Sequence, residues 1–305
     1  MRPGGQVTIV VAFPAWLNFG SENCPGCEIT EDLGRHLEAD AVIFHIPTTP
    51  ALPFQKSAGQ KWVAWSAESE VHYPLLADAD FMRQFDLTAT YRRDADVVLG
   101  HFAHEEWLPF EPPPLQSARE DAPAVYITSS PVDRSGRTEY VRELMRHLPV
   151  DSFGQSLNNR SFAGDRGRGT KLDTIARYRF TLAFENSIAP DYVTEKFYDP
   201  LLVGSVPVYL GAPNVAEHAP GAGSYIDVSE FGGPAALARH LLRVAADEDE
   251  YGSYLAWRSR PLDPRFVALA RRSGSLRFVA SAVLWRHQRS ASEAAASFRG
   301  STAAR

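Results

Sequence analysis

The sequence predicts an α/β protein with two parallel-sheet domains. Short apolar runs typical of buried parallel strands alternate with helical patterns. The clearest pair is Phe180–Phe184 and Val206–Leu210, which flank a single helix and complete a βαβ unit. A Pro-rich polar stretch over 111–123 has no periodicity and indicates an interdomain linker. The chain has 305 residues, 44% of them hydrophobic, which is enough for two cores.

Residues 1–115 are predicted to form the first domain. Its buried strands are expected at Val7–Ala12, Ala41–His45 and Lys61–Ser66. Between the first two strands we expect an irregular segment through Cys27 and then a helix that opens at Thr30. The segment FDLTATYRRDADVVLGHF adds a polar strand, a basic surface turn and a further strand.

Residues 116–260 are predicted to form the second domain. A strand over 124–128 is followed by a helix over 136–148 whose apolar residues recur at helical spacing. Further elements are expected at 150–153, 171–177, 224–228, 235–246 and 249–257. Residues 261–305 are predicted to be a basic, helical C-terminal tail.

Polar side chains follow the strand Phe180–Phe184, where parallel sheets place their ligands. The group comprises Glu185, Asn186, Asp191, Tyr192, Glu195 and Lys196. Thr194 or Asp191 can cap the next helix, whose first-turn N–H groups then suit a phosphate. Lys196 adds a full positive charge beside them. The alternative is a solvated helix start, which would not require two aromatic residues and an amide in the same loop.

The string FENSIAPDYVTEKFYDPLLVGSVPVYLGAPN resembles the signature of the α1,3/4-fucosyltransferases. The segments CEITEDLGRHLEADAVIFH, FDLTATYRRDADVVLGHF and APGAGSYIDVSEFGGPAALARHLL are also similar to that family, so the resemblance covers nearly all of residues 7–258. It implies the GT-B architecture, which has two Rossmann-like domains and a cleft between them. It also implies inverting transfer of L-fucose from GDP-fucose to a sugar hydroxyl, for which we expect the 3-OH of N-acetylglucosamine in a glycan such as N-acetyllactosamine.

An inverting transfer needs a base for the acceptor hydroxyl, and the resemblance implies Glu68. Glu68 follows a buried strand in the acceptor domain and matches the Glu-Ser motif of the family. His72 lies at a matching offset and is expected to bind the acceptor. Glu70 is the competing carboxylate; the family usually has proline there, and we interpret Glu70 as a solvated loop residue.

The departing nucleoside diphosphate needs cations, for which we choose Arg137 and Lys196. Arg137 lies where the family places a phosphate-binding arginine after a Ser-Asn pair, although this chain has Ser-Ser; Arg134 is the alternative. By resemblance, Glu195 contacts the ribose or fucose. Asn186 and Tyr192 line the donor pocket, with simple packing an equal alternative for Tyr192.

Several other classes of function lack support in the sequence. The net charge of -6 argues against a general nucleic-acid binder. The GxGxxG fingerprint and the P-loop are absent, and no metal-ligand pattern is visible, so we expect no required cofactor or metal; a stimulatory divalent cation is left open. Cys24 and Cys27 are the only cysteines, so a single local disulfide is the most that they allow.

We expect a cytoplasmic protein, because no signal peptide or run of ~20 apolar residues is visible. The resemblance stops at Pro264. The tail beyond it is rich in arginine and is interpreted as a helix that packs on the domain, with peripheral membrane contact as the alternative. Rival functions are the same chemistry with another GDP-sugar or acceptor, and a catalytically silent nucleotide- or glycan-binding protein.

Overall fold

The structure is a computed structural model that describes residues 6–12, 26–102, 104–115, 120–164, 167–273, 279, 282 and 283. The chain divides into two compact units. The first comprises 1–100 and 272–305, and the second comprises 101–271.

Within its described residues, the first unit contains a six-stranded parallel sheet in the order β2-β1-β3-β4-β5-β6. The strands are β1 (Val7–Ala12), β2 (Cys27–Thr30), β3 (Ala41–His45), β4 (Lys61–Ser66), β5 (Leu87–Thr90) and β6 (Val97–Val98), and the short helix α1 spans Ala79–Met82. Both faces of the sheet are covered. Alternate residues of β3, such as Ile43 and Phe44, therefore belong to different apolar clusters.

Two sequence predictions for the first unit are corrected. The segment at Cys27 is not irregular but begins the edge strand β2, and Cys27 is disulfide-bonded. The helix predicted from Thr30 is reduced to one 3-10 turn, Leu33–Arg35, capped by Asp32. β2 is short and only partly buried, so the sequence carries little apolar periodicity there.

The second unit contains a five-stranded parallel sheet in the order β11-β10-β9-β7-β8, again within its described residues. The strands are β7 (Ala124–Thr128), β8 (Val150–Gly154), β9 (Phe180–Phe184), β10 (Val206–Leu210) and β11 (Ile226–Asp227). The helices are α2 (Arg137–Leu144), α3 (Arg168–Ile175), α4 (Glu195–Val203), α5 (Pro234–Ala246), α6 (Glu248–Ser253) and α7 (Pro264–Arg272). The predicted βαβ unit is confirmed as β9-α4-β10, whose strands pair in register from Phe180 with Val206 to Phe184 with Leu210.

The boundary between the units lies after Gly100, whereas the sequence predicts it after residue 115. Packing of residues 101–115 explains the difference. Trp107 is fully buried in a cluster of the second unit, and its ring lies 5.0 Å from Phe110 and 6.3 Å from Trp257. Pro113 O accepts a hydrogen bond from Arg258, so the Pro-rich stretch begins on the second unit rather than between the two.

The predicted tail, 261–305, is also divided. Residues 261–271 belong to the second unit, where Phe266 on α7 packs near Trp107. Ser273 then forms a parallel bridge with Val98 of β6, and Val279 and Val283 are buried in the core of the first unit. The chain therefore returns to the first unit at its C-terminal end. Most of the predicted basic tail, including Arg277, Arg286 and Arg289, lies outside the described residues.

Candidate active site

The predicted donor-site residues of the second unit follow strands β7 and β9. β7 and β9 are neighbours in the sheet, and the chain changes direction across the sheet at β7, since β8 lies on one side and β9 on the other. Ligands of parallel sheets bind outside the carboxyl ends of strands at such a switch point. The topology therefore supports the predicted position of the donor site.

Helix α4 begins with a side-chain cap. Thr194 is in an extended conformation, and its Oγ1 accepts a hydrogen bond from Lys196 N at 3.3 Å. The structure thus selects Thr194 as the cap rather than Asp191. Asp191 has a positive φ of 66° and accepts hydrogen bonds from Asn214 and His218, so it stabilises the loop.

The sequence places Glu185 in the loop after β9 but predicts no role for it. Its side chain is 0% exposed, and its two carboxylate oxygens accept hydrogen bonds from Thr194 N and Oγ1, each at 2.7 Å. Lys196 Nζ lies 3.8 Å from the same carboxylate. Burial raises the pKa of Glu185 to about 7, with Lys196 opposing the shift. Only the fold reveals these contacts, since Glu185 and Thr194 are separated by the loop.

Glu195 and Lys196 form an ion pair at the first turn of α4. Lys196 Nζ lies 3.2 Å from Glu195 Oε1, and Lys171 Nζ lies 3.6 Å from the same oxygen. Burial acts to raise the pKa of Glu195, but Lys196 and Lys171 outweigh it and hold that pKa well below the usual range. Burial lowers the pKa of Lys196, but the Glu185 and Glu195 carboxylates outweigh it and raise that pKa. Both predicted residues are therefore charged at neutral pH.

Arg137, the predicted phosphate ligand, is a buried side chain at the start of α2. It is 1% exposed, and its guanidinium donates hydrogen bonds to the carbonyl oxygens of Phe184, Ser130 and Val132 at 2.8–3.3 Å. Its charge lowers the pKa of Lys196, so the two cations lie within electrostatic range of each other. Among the described residues, Arg137 Nε has no hydrogen-bond partner. The contact with phosphate stays a prediction.

Arg134, the alternative to Arg137, is exposed. Its backbone N–H donates a 2.6 Å hydrogen bond to Asn186 O, which joins the loop after β7 to the loop after β9. Asn186 is 9% exposed, and its Oδ1 has no partner in the part of the chain that the structure describes. An amide with an unsatisfied buried oxygen agrees with a ligand-binding role.

Tyr192 is 2% exposed, and its ring stands edge-on to His101 with 6.0 Å between centroids. Its carbonyl oxygen accepts a hydrogen bond from Tyr209. The burial supports packing as at least part of its role. The predicted donor contact stays a prediction.

The predicted base and acceptor residue lie in the first unit, after β4. Ser66 ends that strand, and its Oγ accepts from Glu68 N at 3.0 Å and donates to Glu68 O at 3.1 Å. Glu68 is partly buried, and its charge opposes the burial that lowers the pKa of His45 at the end of β3. His72 is partly buried, with its ring 4.3 Å from that of Tyr73. Both predicted residues are thus at the carboxyl end of the sheet.

Glu70 is not the solvated loop carboxylate that the sequence analysis proposed. It lies 3.4 Å from Arg92, and its side chain is 24% exposed. Glu70 and Arg92 line a cavity of about 360 Å³ together with Thr90 and Asp94. The pairing could not be inferred locally, because Arg92 comes from the loop after a different strand.

A metal centre is not visible among the residues that the structure describes, since they contain no group of three or more His, Cys, Asp or Glu side chains placed to hold an ion. Within the same residues, no helix has the length and apolar character needed to cross a bilayer.

Two family models match the chain. The model of glycosyltransferase family 10 (fucosyltransferase), C-terminal part, matches residues 117–278, which is more than half of the chain, and the fucosyltransferase N-terminal model matches residues 5–102. These two ranges correspond closely to the two sheets.

Curated relatives include 4-galactosyl-N-acetylglucosaminide 3-alpha-L-fucosyltransferase FUT6 from Gorilla gorilla gorilla, which is 37% identical over 82% of this chain and 70% of that protein. Alpha-(1,3)-fucosyltransferase B from Drosophila melanogaster is 30% identical over 75% of this chain. The chain spans only 56% of the length of the Drosophila protein.

Among solved structures, an α1,3-fucosyltransferase crystallised with GDP-fucose superposes with a TM-score of 0.56 over 82% of this chain and 81% of that one, at 16% identity. This likeness confirms the predicted fold class, two parallel-sheet α/β domains of the GT-B type.

Proposed function

The chain belongs to glycosyltransferase family 10, the fucosyltransferases, and from that premise we propose that it transfers L-fucose from GDP-fucose, with inversion, to a sugar hydroxyl. One observation carries the donor side of this proposal. Lys196, a charged side chain at a capped helix start, lies near a second cation, Arg137, which has no carboxylate partner among the described residues. A helix N-terminus with added cations suits a diphosphate.

Each predicted site residue has a separate role in the proposed reaction. Glu68 takes the proton from the acceptor hydroxyl as that oxygen attacks the anomeric carbon, and His72 contributes to acceptor binding. The bond from the anomeric carbon to the diphosphate oxygen breaks, and Lys196, Arg137 and the α4 N-terminus stabilise the charge that develops on GDP. Glu195, Asn186 and Tyr192 bind the donor.

We further propose that the acceptor is the 3-OH of N-acetylglucosamine in a glycan such as N-acetyllactosamine. The support is the similarity to the gorilla protein, whose name gives a galactosyl-N-acetylglucosaminide as its acceptor. Another GDP-sugar or acceptor used by the same fold is the alternative, because donor and acceptor specificity depend on contacts that the fold does not determine.

No cofactor is required in this proposal. The leaving group is stabilised by cationic side chains. Transfer is therefore expected to persist in EDTA, with added divalent ions at most assisting turnover. Loss of all activity in EDTA that Mg²⁺ restores would contradict this point.

For the location we propose a cytoplasmic protein whose C-terminal tail packs on the domain, with peripheral membrane contact through its basic residues as the alternative. Arg271 and Arg272 are exposed at the end of α7. Basic residues near a surface attract anionic lipids. A variant truncated after Ser290 and the full chain would be compared for binding to anionic liposomes; equal binding would exclude the residues after 290 as the contact.

The direct test is a transfer assay with GDP-fucose and N-acetyllactosamine, followed by determination of the product linkage. An α1,3-linked fucose on N-acetylglucosamine supports donor, acceptor and inversion together. GDP binding without transfer to any of a broad panel of acceptors would favour a silent binding protein. Transfer from another GDP-sugar alone would overturn the assignment of fucose.

A further inference from the structure

The carboxylate of Glu185 has no part in the chemistry described above, yet it is held rigidly beside the donor residues. Glu185 N donates a 2.8 Å hydrogen bond to Leu210 O, and Glu185 O accepts one of 2.6 Å from Ser135 Oγ. A Cβ atom at Gly211 would lie 2.7 Å from Cγ of Glu185, so this glycine leaves room for the side chain. The fold thus directs a fully buried carboxylate toward the start of α4.

A chain of hydrogen bonds leads from Glu185 to Lys196. Thr194 donates both its backbone N–H and its hydroxyl to the Glu185 carboxylate. Thr194 Oγ1 in turn accepts from Lys196 N at 3.3 Å and from Lys196 Nζ at 3.2 Å. A hydroxyl has one proton and two acceptor lone pairs. Because the Thr194 hydroxyl donates its hydrogen bond to Glu185, both of its lone pairs are available to accept from Lys196.

We infer that Glu185 is a positioning residue for the transfer: it fixes the hydroxyl of Thr194 and, through it, the Lys196 ammonium at the place where the donor diphosphate binds. This inference rests on the proposed function. Because Glu185 is 0% exposed, we assign it a role through Thr194 rather than a contact with the substrate. The role needs the ionised carboxylate, which predominates above the pKa of about 7, because only two acceptor oxygens can receive both donors of Thr194 while Thr194 remains an acceptor for Lys196.

The substitutions Glu185→Gln and Thr194→Val test this chain. Glutamine places an NH₂ donor against either Thr194 N–H or Thr194 Oγ1, so one of the two hydrogen bonds from Thr194 is lost, and valine removes the hydroxyl altogether. Each variant is expected to raise the Kd for GDP and the KM for GDP-fucose at least tenfold, with the KM for the acceptor unchanged. Both substitutions break the same chain of hydrogen bonds. The Kd for GDP of the double variant should therefore be no more than about threefold higher than that of the weaker-binding single variant.

Matched controls separate positioning from general damage. Thr181 on β9 is also buried and shares a 2.8 Å hydrogen bond with Ser205, so Thr181→Val removes an equivalent hydroxyl away from α4 and should change GDP binding less than twofold. Thr194→Ser retains the hydroxyl and should bind GDP within threefold of the wild type. This comparison of Ser with Val at position 194 tests the hydroxyl step of the hydrogen-bond chain even if Glu185→Gln does not fold.

Two results would overturn the inference. One is wild-type GDP affinity in both Glu185→Gln and Thr194→Val. The other is a double variant whose fold-loss of GDP affinity equals the product of the two single fold-losses. Isothermal titration with GDP also distinguishes this failure from failure of the proposed function. If the wild-type protein binds no GDP, the donor assignment is wrong and the inference fails with it. If wild type and variants bind GDP alike, only the positioning role is wrong.

Discussion

Lys171 Nζ on α3 lies 3.6 Å from Glu195 Oε1, so one helix supplies a cation to the first residue of another. The same ammonium lies 2.9 Å from Oδ2 of Asp199, one turn further along α4. Asp199 is 1% exposed and also accepts hydrogen bonds from Arg168. The predicted donor residue Glu195 is thus connected to a buried charge network that no local sequence pattern indicates.

Lys171→Met is expected to raise the KM for GDP-fucose about fivefold, because a partly exposed ion pair is worth about 1 kcal/mol. The reason is that Glu195 loses one of the two cations that orient it. Lys61→Met is the matched control, since Lys61 pairs with Asp86 at 3.7 Å in the first unit. Steady-state kinetics with both variants would decide; an equal change in both would contradict the role of Lys171.

The elements around this network could largely be predicted from sequence. β9, α4 and β10 follow from two apolar runs with a capped polar helix start between them, and the sequence predicts Thr194 as one of two possible caps. These are local signals, because strand burial and N-caps depend on residues close together in the chain.

The partners of single side chains could not be predicted in the same way. Glu185 receives its hydrogen bonds from Thr194, nine residues later, and Glu70 meets Arg92 from a neighbouring strand's loop. Arg137 is predicted to bind phosphate, but its guanidinium donates to two carbonyl oxygens of the loop after β7 and to one at the end of β9. Such contacts depend on how strands are ordered in the sheet, which periodicity does not specify.

Asp199→Ala is expected to lower the free energy of unfolding by roughly 3 kcal/mol, since removing one member of a buried ion pair leaves its partners uncompensated. Arg168 and Lys171 would both lose this carboxylate. Urea unfolding measures the loss.

Glu106→Ala provides the control for Asp199. Glu106 pairs with the same Arg168, but its side chain is 30% exposed, so we expect a loss below about 1 kcal/mol. Equal losses in the two variants would show that burial of Asp199 adds nothing to the pair.

The stability of the protein should depend on Glu185 between pH 4.5 and 7. Burial raises the pKa of Glu185 from 4.5 to about 7, so the folded state holds a proton that the unfolded state has released. The contribution of protonated Glu185 to the free energy of unfolding is therefore fully present below pH 4.5. It is lost as the pH rises to 7, at up to about 1.4 kcal/mol per pH unit. Glu185→Gln has no such proton.

The measurement for this prediction is the difference in unfolding free energy between wild type and Glu185→Gln across pH 5 to 8. Taking the difference removes groups that both proteins share, including Glu195, whose lowered pKa acts in a more acidic range. We expect the unfolding free energy of the wild type to fall relative to that of the variant from pH 5 to 7, and the difference to stay constant above pH 7. A constant difference over the whole range would contradict the raised pKa.

Glu68→Gln is expected to reduce kcat at least a hundredfold, because general bases contribute about 10²–10⁴-fold. The Kd for GDP should stay within twofold, since Glu68 lies in the first unit and the predicted donor residues lie in the second. Glutamine preserves the size of the side chain and leaves the backbone hydrogen bonds to Ser66 intact. The readouts are single-turnover transfer and GDP titration.

Glu70→Gln is the paired control, and its interpretation follows from the structure. It removes the charge that meets Arg92 at 3.4 Å, but it keeps an oxygen that can accept from that arginine, so kcat should fall less than threefold. A large loss in Glu70→Gln with near-normal turnover in Glu68→Gln would transfer the role of base to Glu70. Large losses in both would mean that the loop after β4 requires its full charge, and Glu68 alone could not then be assigned as the base.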